Sequence, residues 1–338
     1  IMKKFINDPT RVVDDMLEGL IAAHPQLIRS VRTDNRALVR AKPGRDGKVG
    51  IVTGGGSGHL PLFLGYVGQG LLDGAVVGDI FQSPSPEQIL DVTREVDTGA
   101  GVLYLYGNYG GDVMNFDMAG ELAAAEGIRT ETVLGLDDVA SMPPERASER
   151  RGVAGIFFLY KCAGALAEEG AALEAVSAVA RKAGERTRTM GVALSPCIIP
   201  AVGKPGFTIG ADEMEVGMGI HGEAGIERSA LATASEVTDI IYSKLIADMP
   251  LDSGDRVAVL VNGLGATPHE ELYVVFASLA RVLQADGVTV HRTYVGEYAT
   301  SMEMAGLSVS LIKLDSELAR LIDAPFTTPF HVQPGASA

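Results

Sequence analysis

Apolar residues recur along the chain in two rhythms, and their alternation sets out its elements. Residues 10–24 carry apolar positions at helical spacing, which predicts a helix with Asp8 as its cap and Pro9 as its first residue. A polar stretch at 32–47 separates it from the next apolar run. That run, 48–54, is short and ends in glycines, as a buried strand does. Strand-like runs at 73–81, 101–107 and 130–136 then alternate with helical ones at 83–99, 112–127, 155–170 and 172–187. This order predicts an α/β domain with a largely parallel sheet.

A second block begins near Thr189. It holds apolar segments at 191–199, 207–210 and 213–223, then a helix over 232–249. A strand at 255–265, a helix at 267–287, and strands at 288–296 and 307–315 complete it. The expected fold class is α/β, with two α/β domains, 1–187 and 188–338, the first with a largely parallel sheet. The tail 331–338 reads as frayed.

Charge narrows the function. Lys and Arg total 28 against 43 Asp and Glu, a formal net charge of −15. A surface this acidic repels nucleic acid phosphates and anionic membranes. Cys162 and Cys197 lie in apolar segments and read as buried free thiols. The first nine residues lack the long apolar stretch of a signal peptide, Ile1 ahead of Met2 reads as an added residue, and no apolar run is long enough to span a membrane. A cytoplasmic protein is expected.

Ligands of open α/β sheets bind on loops at the carboxyl ends of strands. Three glycine-rich segments occupy such places. The first runs from Thr53 to Pro61 and includes Gly56, Ser57, Gly58 and His59. Its glycines serve either as a tight turn or as backbone that approaches a polar ligand. The second, Gly107 to Asp112, follows a strand and meets a helix start, so Asp112 is either a helix cap or a general base. The third, Gly217 to Gly225, surrounds His221 with glycines and leaves it little cover from sequence neighbours. That histidine is either a satisfied loop residue or a nucleophile, since neutral imidazole attacks carbonyl carbon. No G-x-x-x-x-G-K-[ST] nucleotide loop occurs, and neither the six histidines nor the carboxylates show metal-ligand spacing.

The ordered set TGGGSGHLP, GDIFQSPSP, GNYGGDVMNF, PAVGKPGFT, EMEVGMGIHGEAGI, LVNGLGATP and DAP-x-x-TP covers nearly the whole chain. Together these motifs resemble the K-type, substrate-binding subunit of dihydroxyacetone kinases. The resemblance implies that His221 attacks a substrate ketone to form a hemiaminal. It implies that His59 bonds the substrate and assists proton transfer, and that Asp112 is the base. Gly56, Ser57 and Gly58 would cradle the small hydroxyketone, with Gly107 also lining it. The chain would bind no cofactor itself. ATP or ADP with Mg2+ would sit on a separate L-type subunit, the phosphate coming from ATP or from a recharged ADP, and the K-type chain would form a homodimer. Two departures stand out: Leu60 where the family often has Glu, and Gly107 where dihydroxyacetone-specific members have Lys. They imply a roomier site and a ketose such as erythrulose or apulose. The alternative is a ketose-binding sensor or coregulator without kinase activity; a nicotinamide dehydrogenase is a more distant third.

Overall fold

The computed structural model describes residues 3–335. Chain order runs α1 (Val12–Ala23), β1 (Ile28–Ser30), β2 (Ala37–Arg40), β3 (Gly50–Ser57), β4 (Gly74–Ile80), α2 (Pro86–Val96), β5 (Val102–Gly107), α3 (Gly110–Ala125), β6 (Thr130–Gly135), α4 (Ile156–Glu168) and α5 (Leu173–Glu185). It continues through β7 (Thr187–Ala193), β8 (Glu213–Val216), β9 (Glu227–Ala230), α6 (Ala234–Asp248), β10 (Arg256–Gly263), α7 (His269–Ala285), β11 (Thr289–Glu297), β12 (Gly306–Leu314), α8 (Ser316–Asp323), β13 (Phe326–Thr327) and β14 (Val332–Gln333).

The first six strands form one sheet, in the order β1-β2-β4-β3-β5-β6. Strands β4, β3, β5 and β6 run parallel, and β2 and β1 extend the sheet through antiparallel pairs. Alternation along each strand feeds two cores. Val52, Tyr104 and Tyr106 pack with Ile89, Val92, Phe116 and Ala119 of α2 and α3. Ile51, Leu103 and Leu105 face the other way, onto Phe157, Phe158 and Val176 of α4 and α5. The second sheet, β11-β10-β12-β7-β8-β9, is mostly antiparallel; only β10 and β11 run parallel. Val257, Val259 and Val261 of β10 pack on Ile241, Leu272 and Leu279 of α6 and α7. Ala258 and Leu260, on the opposite face, join the same core as Phe157 and Phe158. The sheets therefore divide the chain between α5 and β7, while one buried core runs continuously between them.

Several expected details change. Asp8 does not cap α1: its Oδ1 accepts the Thr10 N–H (2.8 Å) and hydroxyl (2.7 Å), closing a turn, and the helix begins at Val12. The polar stretch after α1 contains β2, whose Leu38 and Val39 are buried between arginines too closely spaced for a periodic signal. The tail is tied down, because Val332 and Gln333 pair with β13 and the Gln333 amide donates to the Ile322 and Ala324 carbonyls, both at 2.9 Å. Residues 336–338 of that tail lie outside the described residues. Cys162 and Cys197 are free and buried, and burial pushes the Cys162 thiol up to about 12. Among the described residues, no helix is long and apolar enough to cross a membrane.

Candidate active site

The glycines expected to form the first loop belong to β3 itself. They admit neighbours that a side chain would exclude. A Cβ at Gly55 would sit 2.4 Å from the Phe63 ring, and one at Gly56 would meet the Phe81 and Gln82 backbone at 2.7 Å. Ser57 donates its hydroxyl to the Gly78 carbonyl at 2.7 Å, so only its lone pairs remain. The chain turns at Gly58, where φ is +103°, a value that favours glycine. His59 follows immediately and is fully buried.

A distant segment fixes the His59 ring. Nδ1 lies 2.7 Å from the Thr300 carbonyl, which can only accept, so Nδ1 carries the proton. Nε2 is then a bare acceptor, buried and without a partner. Burial first, and His221 second, push the imidazole down to about 3, so it stays neutral at physiological pH. Phe81 stacks on it at 5.0 Å.

Asp112 enters from the first turn of α3. The cap position is Tyr109, so the helix-cap reading of Asp112 fails. Its side chain is buried, and Oδ1 has no partner. Burial raises the carboxyl to about 6, against the opposing pull of the Ser83 hydroxyl and His221.

His221 comes from the loop after β8, on the second sheet. Its ring lies 4.7 Å from His59, 4.6 Å edge-on from Tyr109 and 5.3 Å from Phe81, centroid to centroid. Cover missing from its sequence neighbours is thus supplied by rings from the first sheet. Glu223 holds the histidine twice. Its Oε1 lies 2.9 Å from Nδ1, and its Oε2 accepts the His221 backbone N–H at 2.9 Å. A carboxylate this acidic only accepts, so an Nδ1 proton points at Glu223 and, in the neutral ring, the lone pair is on Nε2. Burial alone would raise Glu223, but the His221 hydrogen bond, the pull of that imidazole in its protonated form and the Arg151 charge outweigh it and hold the carboxyl at about 2.

Three of the expected residues thus converge: two imidazoles, that of His59 held neutral, and a carboxyl poised between its forms. Such a set can add a nitrogen nucleophile to a carbonyl and accept a hydroxyl proton nearby. Gly107 reaches the site only through Tyr109, whose ring lies 3.1 Å from where its Cβ would be, so no void opens there. Leu60 lines a cleft of about 520 Å3 together with Ser57, Gly58, Met302 and Phe330. Among the described residues, no group of three or more His, Cys, Asp or Glu side chains could hold a metal ion.

Sequence reasoning missed Glu223, Tyr109, Phe81, Ser83 and Thr300. The H-G-E spacing could have signalled Glu223, since two residues is the reach of a side chain back to its neighbour's backbone. Thr300 carried no signal, being 241 residues from His59.

Known proteins resemble this chain over its length. It is 47% identical over 97% of its residues to the dihydroxyacetone-binding subunit of PTS-dependent dihydroxyacetone kinase 2 from Listeria innocua, and covers 99% of that protein. It is 44% identical to D-erythrulose kinase of Mycolicibacterium smegmatis, across 98% of this chain and 56% of the relative. The C. freundii dihydroxyacetone kinase, solved in complex with AMP-PNP and Mg2+, superposes with a TM-score of 0.88 at 31% identity, over 99% of this chain and 62% of that one. A dihydroxyacetone kinase operon co-activator superposes at 0.86, also at 31% identity, over 93% and 96%. Residues 18–330 match the Dak1 domain, and the chain belongs to that family.

Proposed function

We propose that this chain is the substrate-binding subunit of a ketose kinase, holding a small hydroxyketone on His221 for phosphorylation by a nucleotide carried on a separate L-type subunit. The observation that carries this reading is the meeting of His221, held by Glu223 at Nδ1, with the His59 ring 4.7 Å away, in a place where His59 Nε2 and Asp112 Oδ1 are buried and unpartnered. His221 Nε2 forms a bond to the carbonyl carbon, and the carbonyl π pair moves to oxygen. That oxygen takes a proton from solvent water, and the imidazole gives up its Nδ1 proton past Glu223 to solvent, so the hemiaminal is neutral overall. Glycerol, which has no carbonyl, is excluded. His59 accepts a hydroxyl hydrogen bond, and Asp112 takes the terminal hydroxyl proton as that oxygen bonds to phosphorus and the bond to the nucleotide breaks.

The relatives point to dihydroxyacetone or a four-carbon ketose such as erythrulose as substrate; a branched pentulose such as apulose extends the same class. Magnesium and nucleotide belong to the partner on this reading, a homodimer follows from the family resemblance, and the setting is cytoplasmic. The co-activator likeness supports a second reading, a ketose-binding coregulator. The unpartnered Asp112 favours the kinase, because a sensor has no use for a base. The test is phosphate transfer to dihydroxyacetone and erythrulose in a complex reconstituted with an L-type subunit. Turnover that Asp112→Asn removes, with ketose still bound, supports the kinase. Ketose binding without turnover under any partner or donor would leave the coregulator.

A further inference from the structure

The reacting groups come from two different sheets. His59 and Asp112 follow β3 and β5 of the first, and His221 follows β8 of the second. Their 4.7 Å ring separation must therefore be held across the joint between the halves. The His221 loop is poorly equipped to hold it alone. Its ends are held by its own half, Gly217 N–H on Gly191 O at 2.7 Å and Ile226 N–H on Val216 O at 2.8 Å, but φ is positive at Gly217 (+81°) and Gly222 (+78°), and the stretch around His221 closes through turn-type bonds, Gly219 N–H to Glu223 O at 3.2 Å and Gly222 N–H to Gly219 O at 3.1 Å.

We infer that Arg151 is the positioning residue that registers His221 against His59 and Asp112, acting through Glu223; this rests on the reading of His221 as the ketose anchor. Arg151 belongs to the first half, in the segment between β6 and α4. Its backbone is fixed there: its N–H donates to Ser141 Oγ at 3.0 Å and its carbonyl accepts the Asp138 N–H at 3.1 Å. Its guanidinium is fixed as well, with Nε 3.0 Å and Nη2 2.8 Å from Asp138 Oδ2. Asp138 is itself buried and accepts the Ala140 N–H at 3.1 Å through Oδ1.

The remaining nitrogen, Nη1, reaches across to the second half and lies 3.7 Å from Glu223 Oε2. That is an ion pair rather than a hydrogen bond, and it falls on the oxygen that holds the His221 backbone N–H. The chain Asp138–Arg151–Glu223–His221 thus ties the segment after β6, itself bridged at Asp138 to Thr189 of β7, to the nucleophile. Gly219 is an independent mark of the same arrangement. A Cβ there would lie 2.1 Å from Glu223 Oε2 and 2.6 Å from Arg151 Nη1, so the absence of a side chain is what lets the two meet. Lysine could not replace the arginine fully, because a single ammonium lacks the planar fork that holds Asp138 and Glu223 at once.

The test compares wild type, Arg151→Met, Arg151→Lys and Asp138→Asn in the complex reconstituted with the L-type subunit of the Listeria innocua kinase, with dihydroxyacetone as the varied substrate. Loss of registration weakens ketose capture before transfer. Arg151→Met is expected to raise KM about tenfold or more with kcat within about threefold of wild type. The fraction of [2-13C]dihydroxyacetone held as adduct, measured by NMR without the partner, should fall in parallel. Arg151→Lys should recover part of the loss, and Asp138→Asn should shift KM the same way if Arg151→Met does not fold. A fall in kcat with unchanged KM is what a merely structural role produces, and it would overturn the inference, as would variants indistinguishable from wild type. Absence of any adduct in the wild-type chain would instead remove the underlying reading, and the inference with it.

Discussion

Replacing Glu223 by Gln tests the orientation of the nucleophile with almost no change in shape. Both Glu223 oxygens receive donors, the His221 Nδ1–H and the His221 backbone N–H, each at 2.9 Å. A carboxylate can accept both, whereas a carboxamide has one acceptor and one donor. If the amide oxygen keeps Nδ1–H, its NH2 faces the backbone N–H, donor against donor. If the amide flips, its NH2 donates to Nδ1 and forces the proton onto Nε2, which removes the attacking lone pair. Either way one charge-assisted hydrogen bond is lost, worth about 1.5–3 kcal/mol. At 1.4 kcal/mol per tenfold, the hemiaminal should form about ten- to a hundredfold less favourably. The assay is a titration of [2-13C]dihydroxyacetone followed by the tetrahedral carbon signal. Adduct affinity within about twofold of wild type would refute the assignment of Glu223 as the group that sets the His221 tautomer.

Gly219→Ala should reproduce the Glu223→Gln defect with an unaltered far-UV spectrum, because the new methyl would sit 2.1 Å from Glu223 Oε2 and drive the carboxylate off the histidine. Asp112→Asn should lower kcat by about 10²–10⁴-fold while the adduct persists. The same variant should raise the melting temperature at pH 7, since lifting the carboxyl from 3.8 to about 6 makes the buried anion a cost of about 3 kcal/mol there. The sign follows from the shift: protonation of Asp112 favours the fold fully below its unfolded pKa, and that benefit is lost as pH rises through about 6. Wild-type turnover should correspondingly fall as pH drops through about 6, and Asp112→Asn should lack that limb in whatever activity remains. Arg150→Met should destabilise the chain by about 3 kcal/mol in urea unfolding, because Arg150 is buried against Asp248 with Nη1 2.9 Å from Oδ1 and its loss leaves a buried carboxylate short of one partner.

Strong periodicity made α1 to α7, β3 to β6 and β10 to β12 legible, while α8 was not read. Residues 83–99 read as a capped helix, and within that run a Ser85–Gln88 capping box starts α2 at Pro86. What stayed hidden depends on distant partners. Leu38 and Val39 become strand residues only because β4 lies beside them, and the Gly54–Gly56 run is strand rather than loop because Phe63, Phe81 and Phe116 fill the space its side chains would occupy. The site divides the same way. His59, Asp112 and His221 could be named because each sits in a motif with a strand before it. Their states could not: the bare Nε2 of His59 depends on Thr300, the raised carboxyl of Asp112 on burial by other elements, and the His221 tautomer on the Glu223 contact. The reading of Gly107 as opened space meets a packing answer, since Tyr109 lies against it, while Leu60 lines a cleft with Ser57 and Gly58.

The covalent anchor is the centre of the proposed function, and one spectrum addresses it. [2-13C]dihydroxyacetone added to the wild-type chain and to His221→Ala should differ in the labelled carbon. The expected result is a protein-bound signal in the tetrahedral range for wild type, a mass gain equal to the whole ketose on the peptide containing His221, and neither in the variant. A bound ketose whose carbon keeps its ketone shift, or an adduct that survives His221→Ala, would contradict it.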